Sequence, residues 1–227
     1  MPQKASRSQG PTISEVRRER ERAEKAERIM DVAREMFVRD GYQAVTLRRI
    51  AEAIEYSQAA IYQYFTDKQA LVEAIIRKDA QDLRENLAES TKIQEPIARM
   101  IEMAHRYAKW GITHPNHYRL MLVPPPTWAE QDLEADKQSH IPLEQEALCI
   151  LTEAVKEAIG RGLLKEKYTD PALVAAMLWA AVHGAIVHEI TRVPKELSAL
   201  GGEGLTFEHL FNALLELFAD GFLRNKR

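Results

Sequence analysis

The chain has 227 residues, 45% hydrophobic and 29% charged, with a net charge of -3. This composition suits a soluble globular protein with a full-sized core. The single cysteine, Cys149, excludes an intramolecular disulfide and any multi-cysteine zinc or iron–sulfur site. The slightly acidic balance does not by itself announce a nucleic-acid binder.

Only 10 Gly and 10 Pro leave long uninterrupted segments, which points to helix. Residues 1–13 are polar and aperiodic and read as a disordered arm. From Ser14 the chain turns into a charged helix with Glu21–Lys25 and Glu24–Arg28 at i,i+4 spacing. Its continuation is amphipathic through Ile29, Ala33, Met36 and Phe37, and Gly41 stops it. Thr46 caps a short helix with Leu47, Ile50, Ala51 and Ile54 inward. After the turn Glu55-Tyr56-Ser57, Ser57 caps a second short helix, Gln58 to Phe65, which buries Ile61 and Phe65. Asp67 caps a long helix toward Ser90.

Further helices open at Pro96, Pro115 and Pro142, and at Pro171 behind an Asp170 cap. A last one runs from Thr206 to Phe222. The triple proline 124–126 and residues 129–140 interrupt the series. Nine helices and no strand make the expected class all-α. The longest apolar run, Ala172 to Val182, is 11 residues. A membrane span needs about 20. Residues 1–28 contain no apolar signal core, so a cytoplasmic location and no membrane partner are expected.

Charge is unevenly distributed. Residues 1–68 hold 13 Lys/Arg against 11 Asp/Glu, and the remainder 18 against 23. The first part is therefore mildly basic, which hints at nucleic-acid contact there. Residues 46–65 supply its geometry: two short helices and a three-residue turn, the spacing of a helix-turn-helix. The second helix fits a major groove about 12 Å wide. Gln58 and Gln63 suit adenine edges, and Ala59 and Ala60 suit thymine methyls. Tyr62 and Tyr64 suit phosphate, as do Lys68, Thr46, Arg48, Arg49 and Ser57 around the turn. A plain helical hairpin with solvated polar residues has the same pattern. The N-terminal extension (Lys4, Arg7, Arg17, Arg18, Arg20, Arg22, Lys25, Arg28) reaches DNA phosphates or a minor groove, or stays solvated, since five glutamates accompany it.

Residues 28–75 resemble the DNA-binding domain of the TetR (tetracycline-repressor-like) family. The resemblance rests on Ala33, Phe37, Gly41-Tyr42, Thr46, Ile50-Ala51, Ser57, Ile61-Tyr62, Tyr64-Phe65 and Lys68 with Leu71. The family carries glycine in the turn, where this chain has Glu55. The later part resembles the subgroup with a Trp…His-Gly signature, here Trp179 to His183-Gly184. The resemblance implies an arm (1–13), a DNA-binding domain (14–68) and an effector-binding and dimerisation domain (69–227). It also implies a homodimer on a palindromic operator, with a small hydrophobic effector.

Pocket candidates are Met103, Tyr107, Trp110, Tyr118, Met121, Trp128, Met177 and His183, although aromatics and methionines more often fill cores. The expected dimer seam is Ala172, Ala176, Ala180 and Gly184, with Phe211, Leu214 and Phe218 of the last helix. Cys149 reads as buried and inert. No metal ligand set, cofactor motif or catalytic constellation is evident, so no enzyme is expected. The alternative is a helical ligand sensor or interaction module that does not read DNA. Glu55 is its only support.

Overall fold

The computed structural model describes residues 12–122, 143–191 and 206–224. Among these, nine α-helices form: α1 (Ile13–Asp40), α2 (Leu47–Ala53), α3 (Gln58–Tyr62), α4 (Lys68–Ala88), α5 (Pro96–Thr113), α6 (Pro115–Leu122), α7 (Leu143–Gly160), α8 (Pro171–Thr191) and α9 (Phe207–Phe222). No strand appears among the described residues, only an isolated bridge between Leu164 and Leu223. The class is all-α, as the period of the apolar residues requires.

The caps explain the helix starts. Thr12 and Glu15 form a reciprocal capping box at α1. The supposed arm therefore ends in ordered helix: Thr12 is the cap and Ile13 the first turn, while residues 1–11 lie outside the described part. Asp67 Oδ1 accepts from Ala70 N at 2.7 Å, and Asp170 Oδ1 accepts from Ala172 N at 2.9 Å. Thr206 caps α9 through His209 N. The proline breaks at 124–126, Trp128, Pro142 and the glycines near 201 lie outside the described residues.

The chain divides into two compact units, one up to Ile75 and one from Ile76. This division falls after Ile75, and the boundary expected above was 68/69. The opening turns of α4 bury Leu71, Val72 and Ile75, which continue the apolar stripe past Lys68.

In the first unit, α1 packs on α2 and α2 on α3. Ile29, Ala33 and Phe37 of α1, Val45, Ile50 and Ile61 are all fully buried. The first half of α1 is exposed.

In the second unit α5 touches α6, α7 and α8, and α9 packs on α8. Gly111 of α5 permits a close approach. A Cβ there would lie 2.7 Å from Ile186 Cγ2 and 2.9 Å from the Tyr118 ring. Asp79, only 1% exposed, ties α4 to α6 through His117 Nδ1 at 3.0 Å. The turn after α7 is clasped to the end of α9. Lys165 N donates to Phe222 O and Arg224 N donates to Leu163 O, both at 2.9 Å. The Tyr168 ring stacks on Phe222 at 4.4 Å. The Leu143–Gly160 helix exposes Cys149, contrary to expectation, so that thiol is not a core group.

The α8 helix combines length with low polarity (mean hydropathy 1.6 over an 18-residue window). The run counted in the sequence ends before His183, but the helix continues to Thr191. One face, with Val174, Ala175, Val182 and Ile186, enters the core.

Candidate nucleic-acid interface and apolar cavity

The α2 and α3 helices are a helix-turn-helix built from local capping. Thr46 Oγ1 accepts from Arg49 N, and Ser57 Oγ accepts from Ala60 N, each at 3.2 Å. Between them Tyr56 N donates to Ala51 O at 2.9 Å and Glu55 N donates to Glu52 O at 3.3 Å. This pair of bonds is a Schellman close, and it needs a left-handed residue at Glu55. Glu55 adopts φ 58°, the one non-glycine residue with positive φ among the described residues. The missing glycine thus leaves the turn intact and places about 1–2 kcal/mol of strain at one residue.

Ile61 and Phe65 anchor α3 inward. Gln58, Ala59, Tyr62 and Gln63 are exposed together, and Ala60 and Tyr64 are half-buried beside them. The α-helix ends at Tyr62, shorter than expected. Gln63 keeps helical dihedrals, and Tyr64 N and Phe65 N both donate to Ile61 O. The face expected to read bases is therefore one continuous surface.

The flanking cations are placed differently. Lys68 was expected at phosphate. Its Nζ instead donates to Tyr42 O at 2.9 Å and Val45 O at 3.2 Å, and sits 3.8 Å from the centre of the Tyr42 ring. A half-buried ammonium with two carbonyl acceptors and an aromatic face is a structural strut, because withdrawing it would orphan those groups. Arg49 is likewise committed. It donates to Ala44 O at 2.6 Å and to Asp40 Oδ2 at 2.9 Å. The Arg39 hydrogen bond, with help from Arg49, holds the Asp40 carboxyl below its ordinary pKa. Arg48 is exposed and pairs with Glu52 at 2.8 Å, which raises its own pKa.

The second unit contains an apolar cavity of about 120 Å³. Of the pocket candidates, Met103 and Tyr107 line it. The other described candidates do not. Trp110 stacks on His114, and Met121 packs against the core. Met177 is 44% exposed on α8. Tyr118 and His183 form a polar cluster with Tyr107: Tyr118 Oη lies 2.7 Å from His183 Nδ1 and donates to Tyr107 Oη at 2.9 Å. Trp128 lies outside the described residues. Most of the wall is aliphatic or phenyl, including Leu87, Met100, Leu178 and Leu215. Such residues carry no sequence mark that separates a cavity wall from a filled core.

Phe211 is 4% exposed inside the core and has no free face for a partner, whereas Phe218 lines that wall and stays half-exposed. Leu214 also packs against the core. Ala172, Ala176, Ala180 and Gly184 are exposed as one seam, beside exposed Leu173 and Met177. Among the described residues no group of three or more His, Cys, Asp or Glu is placed to hold a metal ion.

Comparison with known proteins converges on one family. Residues 29–75 match "Bacterial regulatory proteins, tetR family", and residues 100–199 match "Tetracyclin repressor-like, C-terminal domain". The chain is 37% identical over 79 residues to the HTH-type transcriptional repressor AcnR of Corynebacterium efficiens, covering 35% of this chain and 42% of that protein. It is 41% identical over 59 residues to the HTH-type transcriptional repressor Rv1474c of Mycobacterium tuberculosis, covering 26% and 32%. The matches thus span less than half the length of these relatives. The fold is that of the ketosteroid transcriptional regulator KstR2 of M. tuberculosis (TM-score 0.67, 16% identity, 88% and 96% of the two chains). It is also that of AibR, solved with isovaleryl coenzyme A and operator DNA (TM-score 0.64, 16% identity, 85% and 96%). Two models of one family account for more than half of the chain, and the helix-turn-helix lies within the first: the protein belongs to the TetR family of transcriptional regulators.

Proposed function

We propose that the protein is a homodimeric, ligand-responsive DNA-binding repressor of the Trp…His-Gly subgroup, released from a palindromic operator by a small apolar effector. The observation that carries the reading is the intact turn at Glu55, which presents Gln58, Ala59, Tyr62 and Gln63 on one exposed face. It also removes the sole support for a sensor that does not read DNA. The exposed seam Ala172, Ala176, Ala180 and Gly184 suits close helix packing against a second copy. A two-fold reader in turn fits half-sites about 34–36 Å apart.

The cavity supports an apolar effector. An engineered cavity of about 150 Å³ accepts benzene. A guest larger than that must displace wall side chains. Leu87 is one of them, and it sits on α4, the helix whose first residue, Lys68, is fixed to Tyr42 and Val45. An effector favouring one placement of α4 would bias DNA affinity by its differential binding to the two states.

Selection from a random duplex pool tests the reading. A palindrome should be enriched, and Gln58→Ala should relax base preference at one position, costing about 1–3 kcal/mol there. No enriched palindrome would refute it.

A further inference from the structure

The first half of α1 lies outside the segment that matches the family, which begins at residue 29. It carries arginines and glutamates in similar number, so its net charge is small. The geometry sorts them. Arg17 pairs with Glu21 at 2.8 Å and Arg20 with Glu24 at 3.4 Å, both at i,i+4. Glu15 is used in the capping box. Arg18, Arg22 and Lys25, spaced i, i+4, i+7, occupy a different face. Among the described residues none of the three meets a carboxylate.

That face adjoins the end of α3. Arg22 Nη2 donates to Gln63 O at 3.3 Å, and its guanidinium lies 5.9 Å from the centre of the Tyr64 ring. Arg18, Glu21, Arg22, Lys25, Gln63 and Tyr64 line one polar slot of about 270 Å³. The glutamate in it is the one already held by Arg17. The slot therefore presents uncompensated cations, continuous with the surface that faces the bases.

We propose that this face of α1 is a second DNA-backbone contact, in which Arg18, Arg22 and Lys25 bind phosphates flanking the bases read by α3. The proposal rests on the DNA-binding reading above. Its dimensions fit. From Arg18 to Lys25 the helix rises about 10 Å at 1.5 Å per residue. Phosphates on one strand recur about every 3.4 Å of axis, so the strip faces about three of them. Such contacts carry no sequence information but add affinity through released counterions. The extension lengthens the footprint without changing the motif.

The test compares four proteins on the duplex enriched by the wild type, between about 50 and 200 mM salt. They are the wild type, R18A/R22A/K25A, R18A/K25A, and R20A, which removes one positive charge from the paired face and leaves the Arg17–Glu21 pair intact. The triple variant should bind at least tenfold more weakly at the low-salt end. Its log–log salt slope should flatten by about 0.9 for each lost contact. Its hydroxyl-radical footprint should shorten at the flanks while the enriched motif stays the same. The paired-face variant should keep the wild-type slope and footprint. R18A/K25A retains the Arg22 bond to Gln63 and should show part of the same effect, which separates phosphate binding from a shift of α3. Wild-type slope and footprint in the triple variant would overturn the strip and leave the reader helix standing. A wild type that enriches no motif would overturn both readings. Equal losses per charge removed in the paired-face variant would show general electrostatics in place of this strip.

Discussion

The ammonium of Lys68 lies 3.8 Å from the centre of the Tyr42 ring and donates to the carbonyl of the same tyrosine at 2.9 Å. The first residue of α4 is thereby joined to the segment between α1 and α2. Hydrogen bonds from a charged donor to partly buried carbonyls are worth about 1.5–3 kcal/mol. Lys68→Ala should lower stability by about that amount in urea unfolding. The salt slope of DNA binding by the folded fraction should stay at the wild-type value, whereas a phosphate ligand would flatten it.

Relief of backbone strain gives the opposite sign. Glu55 occupies φ 58°, a region glycine enters freely. Glu55→Gly should stabilise the protein by up to about 1 kcal/mol, since lost strain exceeds the added freedom of the unfolded chain. Thermal unfolding measures it, and the enriched DNA motif should not change.

Close packing at α5 predicts a large cost for a small change. Gly111→Ala would drive a methyl into Ile186 and Tyr118. Overpacking of this kind costs about 1–3 kcal/mol. Denaturant midpoints should fall accordingly, and neutral behaviour would mean that α5 and α8 separate easily.

Gly184 behaves differently because nothing lies within 4 Å of a Cβ built there. Gly184→Leu should fold as well as the wild type at low concentration. Sedimentation should then show a monomer where the wild type is a dimer, if the α8 seam is the interface. Phe211→Ala, by contrast, should cost about 3–5 kcal/mol as a core truncation.

The cavity can be filled from its own wall. Ala104→Phe places a ring where the void is. A series of aliphatic alcohols should raise the melting temperature of the wild type, with about 2.7 kcal/mol of stabilisation at a hundredfold excess over Kd. The filled variant should lose that response and keep its operator affinity.

The comparison of sequence with structure is instructive residue by residue. Thr46, Ser57, Asp67, Asp170 and Thr206 announce their helices because a capping side chain acts within three residues. The turn at Glu55 was open in the sequence, because residue type alone does not say whether a left-handed conformation is held there. Lys68, Arg48 and Arg49 were not legible as internally bonded cations. A charge in sequence does not reveal which carbonyl or carboxylate folding brings to it, such as Tyr42 26 positions away. Of the pocket candidates, only Met103 and Tyr107 stand on the apolar cavity. Phe211 and Phe218 belong to a helix apolar on a wide face, and periodicity alone does not say which part of that face meets a partner.

The clasp between Leu163–Lys165 and Phe222–Arg224 has a mechanical consequence. Leu164, Phe222 and Leu223 are cavity wall. They are anchored by two backbone hydrogen bonds, a ring stack and the Arg224–Glu166 ion pair. The end of the last helix is thus an anvil and not a loose tail. A guest that outgrows the void would therefore meet an anchored wall on that side.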